Sequence, residues 1–142
     1  MRVIDTLLKE SATKVLSEAQ FGHGTGYYAD LESKKFPRIW IYDTFPTLNI
    51  TKYGGIGSVT YNVLGGVQLN KALDDSTDVL VEALGTCQAI LMQLIHTIAK
   101  SDEVVEMGRV KCEENWHLSA NNVQEISFAV DITVNEVFTP IC

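Results

Sequence analysis

Residues 76–102, STDVLVEALGTCQAILMQLIHTIAKSD, form the most hydrophobic stretch of the chain, and they decide its fold. Between Val79 and Ala99 the one formally charged side chain is Glu82. Apolar residues recur alternately four and three positions apart, a spacing that places them on one face of an α-helix. This stripe comprises Leu80, Leu84, Cys87, Leu91, Leu94 and Ile98. We therefore predict a long helix whose wide apolar face packs on a sheet and on either another helix or a neighbouring subunit.

The ends of this helix are marked by polar residues. Asp75 and Ser76 are good N-cap residues, and Lys100 suits the negative end of the helix dipole. We do not expect a membrane span, because several polar side chains would fall within the roughly 20 residues of a bilayer crossing. These side chains are Glu82, Gln88, Gln93 and His96.

The N-terminal residues 3–19 predict a second helix, which has one apolar stripe and a charged opposite side. Charged residues such as Asp5 and Lys9 interrupt the apolar run that a signal peptide would need. We therefore expect a helix of the mature protein. The glycine-rich residues 21–37 that follow predict an irregular connection.

Two strands are predicted between the helices. The first is RIWIYD, residues 38–43, bounded by Pro37 before it and Pro46 beyond it. The second is VTYNVLGGVQL, residues 59–69, in which Gly65 and Gly66 suggest a bulge or bend that lets the strand continue. The residues KYGGIGS, 52–58, predict a loop tip.

After the long helix, apolar and polar residues alternate over residues 109–118 and again over 126–135, the period-two pattern of half-buried strands. The turn residues between them predict an antiparallel hairpin. The whole order predicts an α+β fold: one antiparallel sheet, the N-terminal helix and the long central helix on one face, and a C-terminal β-hairpin. We expect one domain over residues 1–142, since a chain of this length can bury a sizeable core.

Composition excludes several function classes. The net charge is −7, and no run of basic residues exceeds Lys34-Lys35, which argues against binding a phosphate backbone. The three cysteines are an odd number without C-x-x-C spacing, so we predict neither a disulfide framework nor a zinc site, and a reducing compartment. The three histidines lack metal-ligand spacing. We predict no catalytic residues, metal or cofactor.

The tip loop is the candidate contact site. Its residues are Lys52, Tyr53, Gly54, Gly55 and Ile56. Apolar side chains flanking a glycine pair suit a loop that becomes ordered when subunits or partners assemble.

The segment Ala83-Leu84-x-x-Cys87 resembles the cysteine helix of the OsmC/Ohr family of thiol peroxidases. That resemblance implies a peroxidatic Cys87, a second cysteine on a later helix and an arginine that lowers the thiol pKa. Here the residues after 102 predict strands, so the second cysteine has no matching position. We predict that Cys87 packs as a small apolar residue, and that Cys112 occupies an inward position of a strand.

As a whole, the layout resembles the tail-terminator and neck proteins of tailed bacteriophages. The resemblance lies in the N-terminal helix, FPRIWIYD (36–43), VTYNVLGGVQL (59–69), the aspartate-rich entry LDDSTDV (73–79) into the long helix, and the closing hairpin with VQEISFAVDITVNEVFTPIC (123–142).

This resemblance implies a virion structural protein, assembled in the host cytoplasm, that forms a homo-oligomeric ring, usually a hexamer. The ring would stop growth of the tail tube and join it to the head-side connector. Its implied partners are further copies of itself, the tail tube protein and the head-side connector or neck protein, while DNA passes through the lumen without specific binding. The alternatives are the Cys87 peroxidase and a small adaptor without enzymatic activity.

Overall fold

The computed structural model describes residues 2–24, 36–70, 77–115 and 123–140. Within them the helices are α1 (Val3–Val15) and α2 (Thr77–Ala99), and a short 3-10 turn spans Glu18–Gln20. The strands are β1 (Phe21–His23), β2 (Arg38–Ile50), β3 (Ile56–Asn70), β4 (Val104–Met107), β5 (Lys111–Asn115) and β6 (Val123–Val134). The predicted N-caps Asp75 and Ser76, most of the 21–37 connection and the turn before β6 lie outside the described residues.

The strands form one sheet in the order β1-β2-β3-β6, and both β4 and β5 pair along the far side of β6. The α+β prediction is confirmed: α1 and α2 lie on one face, and β5 and β6 pair as antiparallel strands. Two details differ from it. The strands β1 and β4 were not predicted, since three or four residues are too few to show a period, and β1 pairs with β2 in parallel.

The core lies between the helices and one face of the sheet. The predicted stripe of α2 is buried from Leu84 to Ile98, and Cys87 and Ile98 are fully inaccessible. From the sheet, Val59, Tyr61 and Val63 of β3 meet this stripe. Strand β6 contributes its alternate residues Ile126, Phe128, Val130, Ile132 and Val134.

By length and composition alone, Val81–Ala99 is a helix that could cross a membrane, the one such helix within the described ranges. In the fold, however, one face of this segment forms the centre of the core. Each fully buried Leu or Ile there contributes about 1.5–3 kcal/mol. The expectation that α2 packs on the sheet is thereby confirmed.

Helix α1 is shorter than the predicted range 3–19, since it ends at Val15 and a separate turn follows. Its first turn is tied to β2 and to the segment after β6. The carboxylate of Glu136 accepts hydrogen bonds from the backbone N–H of Val3 (3.3 Å) and from the Tyr61 hydroxyl (2.9 Å). Arg2 donates to the carboxylate of Asp5 at 2.9 Å and also to Thr44 on β2. These bonds fix the helix over β3 at the end of the sheet from which the hairpin projects.

Strand β3 passes straight through Gly65 and Gly66, and the predicted irregularity lies opposite them in β2. Between Ile41 and Asp43 the register shifts by one residue, so Tyr42 is the extra residue of a bulge. A Cβ on Gly65 would approach Phe128 Cζ to 2.8 Å, and one on Gly66 would overlap the Glu125 carboxylate. The glycine pair therefore makes room for one large side chain on each face.

The first long strand extends further than the sequence predicted, from Arg38 through Pro46 to Ile50. Strand β1 pairs only with Ile39–Ile41. Beyond that point the outer edge of β2 has no neighbouring strand within the described residues. An edge strand tolerates proline because an outward N–H is not needed for the sheet, so Pro46 does not end the strand.

We predict that Phe128→Asp prevents folding, because Phe128 is 3 % exposed and an unpaired carboxylate there would be buried among apolar side chains. The matched control is Ala129→Asp, the next residue on the opposite face and the register partner of Lys111. Circular dichroism and urea denaturation test the pair. A cooperative unfolding transition in Phe128→Asp would contradict the assigned faces of β6.

Candidate interaction surfaces

The end of the β2–β3 hairpin extends past the helices and carries a group of exposed apolar side chains. We call residues 45–58 the arm. Its exposed side chains are Phe45 (54 %), Leu48 (55 %), Ile50 (63 %) and Tyr53 (85 %). Leu48 pairs with the buried Val59 and points to the same face, yet it is exposed because the helices do not reach it. Such a concentration of apolar surface is typical of a contact site.

The predicted contact loop, residues 52–56, forms the tip of the arm. Its turn is closed by a hydrogen bond from the Thr51 N–H to the Gly55 carbonyl (2.8 Å), and Gly54 adopts φ +82°. Lys52 and Tyr53 are exposed, whereas Gly55 is buried and Ile56 is half-buried at the start of β3. The structure thus brings the five residues together, and their contact role stays a prediction.

Sequence reasoning missed the C-terminal segment that supports the tip. Ile56 and Phe138 exchange two backbone hydrogen bonds, of 2.7 and 2.9 Å. Val137 and Phe138 are themselves exposed and extend the apolar surface of the arm. No local pattern in the sequence indicates this pairing, because it joins residues far apart in the chain.

The other face of the arm carries Phe45, the register partner of Asn62, and a ladder of polar side chains. Asn49 donates to Ser58 (2.9 Å) and Thr60 (3.1 Å), and Thr60 shares a hydrogen bond of 2.8 Å with Thr133. These cross-strand bonds link β2, β3 and β6 and restrain the arm. The apolar side chains are therefore presented on a defined strand pair.

A second apolar surface lies between α2 and β5. We call it the lateral groove; its volume is about 690 Å³. It is lined by Gln88, Leu91, Met92, Ile95 and His96 of α2, by Val110, Cys112 and Glu114 around β5, and by Ile126. Since β5 is the last strand on this side, the groove lies at the sheet edge opposite β2.

The two described cysteines have different surroundings. Cys87 is fully buried in the core, as predicted, and burial together with the nearby charge of Glu125 raises the pKa of its thiol to about 11. The prediction for Cys112 was wrong. It faces the helix side of the sheet but is exposed, because β5 lies at the edge where α2 covers the sheet only partly. Burial raises its pKa as well.

A peroxidatic cysteine needs a stabilised thiolate near a cation. The core around Cys87 does the opposite, since it favours the neutral thiol. His23 and His96 are both exposed and lie on different elements, β1 and α2, while His117 is outside the described residues. Within the described ranges no group of three or more His, Cys, Asp or Glu side chains is placed to hold a metal ion.

A buried polar cluster occupies the sheet face opposite the helices. Arg38, Gln68 and Glu125 lie in register across β2, β3 and β6. The Gln68 amide donates to Glu125 (2.6 Å) and to the Tyr42 hydroxyl (2.7 Å), and Tyr42 donates to the same carboxylate. Burial and the Glu125 charge raise the tyrosine pKa, so the hydroxyl keeps its proton. The cluster joins β2, β3 and β6. The sequence did not predict it, because its members come together only when the pairing register of these three strands is known.

We predict that Cys87→Ala lowers the unfolding free energy by about 1 kcal/mol at pH 7 through lost packing. The two proteins should also differ in their pH dependence. The unfolded thiol, with an ordinary pKa of 9.0, loses its proton before the buried thiol with a pKa of about 11.

Between pH 9 and 11 the folded state therefore binds more protons, and stability decreases as pH rises. Wild type should lose about 2 kcal/mol more than Cys87→Ala over this interval. Urea titrations of both proteins at stepped pH measure the difference, because every other titratable group is common to the two proteins. Equal losses would contradict the raised pKa, and peroxide turnover that depends on Cys87 would contradict the packing role.

No protein-family model matches the sequence, and a comparison with curated proteins finds no significant match.

Proposed function

We propose that this protein is a ring-forming structural protein of a tailed-phage virion, located at the junction of tail and neck. In this role it ends the tail tube and joins it to the head-side connector. The observation that carries the proposal is the arm, a restrained hairpin with four exposed large apolar side chains. A surface of this kind on a small folded chain is best explained by a permanent contact with protein.

A second observation favours assembly into a ring. The arm and the lateral groove are different surfaces on opposite edges of one sheet. Two copies related by a twofold axis would use the same patch on both partners, whereas two different patches favour head-to-tail contacts. Head-to-tail contacts close into rings when the rotation between copies allows it. The similarity of the chain layout to tail-terminator proteins gives six as the expected number.

The charge of the chain suits a channel for DNA. A net charge of −7 repels a phosphate backbone, so DNA would pass through the lumen without being held. The remaining exposed apolar residues, including Val105 on β4, are available for the tail tube protein and the head-side connector.

The thiol peroxidase alternative receives no support from the surroundings of Cys87, where burial raises the thiol pKa. A small adaptor could use the arm alone to bind one partner. It would not need the lateral groove, and it would stay monomeric in isolation.

We expect light scattering to give a mass several times that of the 142-residue chain, and negative-stain microscopy to show rings with a central hole. A thiol reagent should leave Cys87 unmodified in these particles. A mass of one or two subunits at every concentration would contradict the proposal. Rapid alkylation of Cys87 in a dimer would instead support the thiol peroxidase alternative.

A further inference from the structure

We propose that the arm of one copy docks in the lateral groove of the next copy. This inference rests on the proposed ring and names the contact that holds it together. The chemistry is apolar at the centre: Leu48, Ile50 and Tyr53 of the arm meet Leu91, Met92 and Ile95 of the groove. Aromatic and methionine side chains of this kind dominate the centres of protein interfaces.

The shapes are complementary. The arm is convex, since it projects beyond the helices, and its tip residue Tyr53 is 85 % exposed. The groove is concave and has a volume of about 690 Å³, which suffices for more than one large side chain. Met92 on its wall is itself 61 % exposed and can adjust to the side chain that enters.

The position of the groove excludes docking within one chain. Strand register pairs Val59, at the base of the arm, with Val134, whereas the groove lies beside Ile126, eight residues earlier on β6. At about 3.4 Å per residue these levels are about 27 Å apart along the strand. The arm extends away from the groove, and β3 and β6 lie between β2 and β5. A second copy must therefore supply the arm.

Charge also favours this pairing. Two chains of net charge −7 repel each other over most of their surfaces. The arm is an exception, because Lys52 is the one charged residue among residues 45–58. The groove has an exposed carboxylate, Glu114, in its lining. An arm that is apolar and carries one cation thus matches a groove that is apolar and carries one anion.

The native Cys112 in the groove provides the test. Thr51→Cys places a thiol at the exposed tip without removing an apolar anchor, and Cys142→Ser removes a competing thiol. A short bismaleimide should then link the arm of one copy to Cys112 of another. Because each copy has both thiols, denaturing gels should show a ladder of dimers, trimers and larger species.

Two matched controls define the contact. Adding Cys112→Ser to the same protein should abolish the ladder. Val81→Cys in place of Thr51→Cys puts a thiol at another exposed position, on the outer face of α2, where valine is 60 % exposed, and should give no ladder. In a second measurement, Cys112 of the wild-type protein should alkylate more slowly as concentration and assembly increase.

Tyr53→Ala should weaken assembly about thirtyfold, the effect of losing a central aromatic anchor.

The outcomes separate this inference from the proposed function. A ladder that needs Cys112, in particles that are open filaments, would support the docking and contradict the ring. Rings without such a ladder, in which Cys112 alkylates at the same rate at every concentration, would support the ring and overturn the docking. Dimers that still form when Cys112→Ser is added to the Thr51→Cys protein would show that two arms pair with each other. That result would also overturn the docking. Slow alkylation of Cys112 in a monomer would show that its protection does not need a second copy, which would overturn the docking as well.

Discussion

The packing of α2 against β3 and β6 is the interaction on which the rest of the structure depends. The helix presents its stripe from Leu84 to Ile98 to the alternate residues of the two central strands, and α1 closes the remaining side. The two helices cover one face of the sheet, and they do not reach the end of the β2–β3 hairpin. That end lies beyond the helical layer, and its large apolar side chains are exposed. The arm is the consequence of a long hairpin beside a limited helical layer.

The sequence predicts the parts of this fold that depend on local periodicity. The α2 stripe and the alternation in β6 were both assigned to the correct face, because one side of each element is buried and the other is not. The short strands and the length of β2 were not predicted. Pro46 looks like a strand end in isolation, and only the pairing of β2 shows that it sits on an edge where proline is tolerated. Cys112 was predicted to be buried because alternation shows which face a residue is on, but it does not show how far that residue lies from the helices.

Residues that act across the sheet could not be predicted without the register. Gly65 and Gly66 suggested an irregularity in their own strand, but the bulge is in β2, and the glycines admit Phe128 on one face and Glu125 on the other. The charge of Glu125 also acts across the sheet, since it helps to raise the pKa of the Cys87 thiol on the helix side. The cluster around Glu125 depends on three strands being in place. The loop at the tip of the hairpin, by contrast, was predicted from its glycines alone, while its support by Phe138 was not, and its contact role stays a prediction.

An exposed hairpin with apolar side chains is a hazard as well as a contact surface, because a free strand edge can pair with any other edge. The arm contains features that limit such pairing. Pro46 lacks a donor on the edge strand, and Lys52 places a charge at the tip. The bulge at Tyr42, just before the arm, adds to this because bulges increase the local twist. The hydrogen bonds between Asn49, Thr60 and Thr133 hold the three strands in register. Backbone pairing is thereby disfavoured while the apolar side chains stay available, so association must be selected by the shape and charge of the surface that receives them.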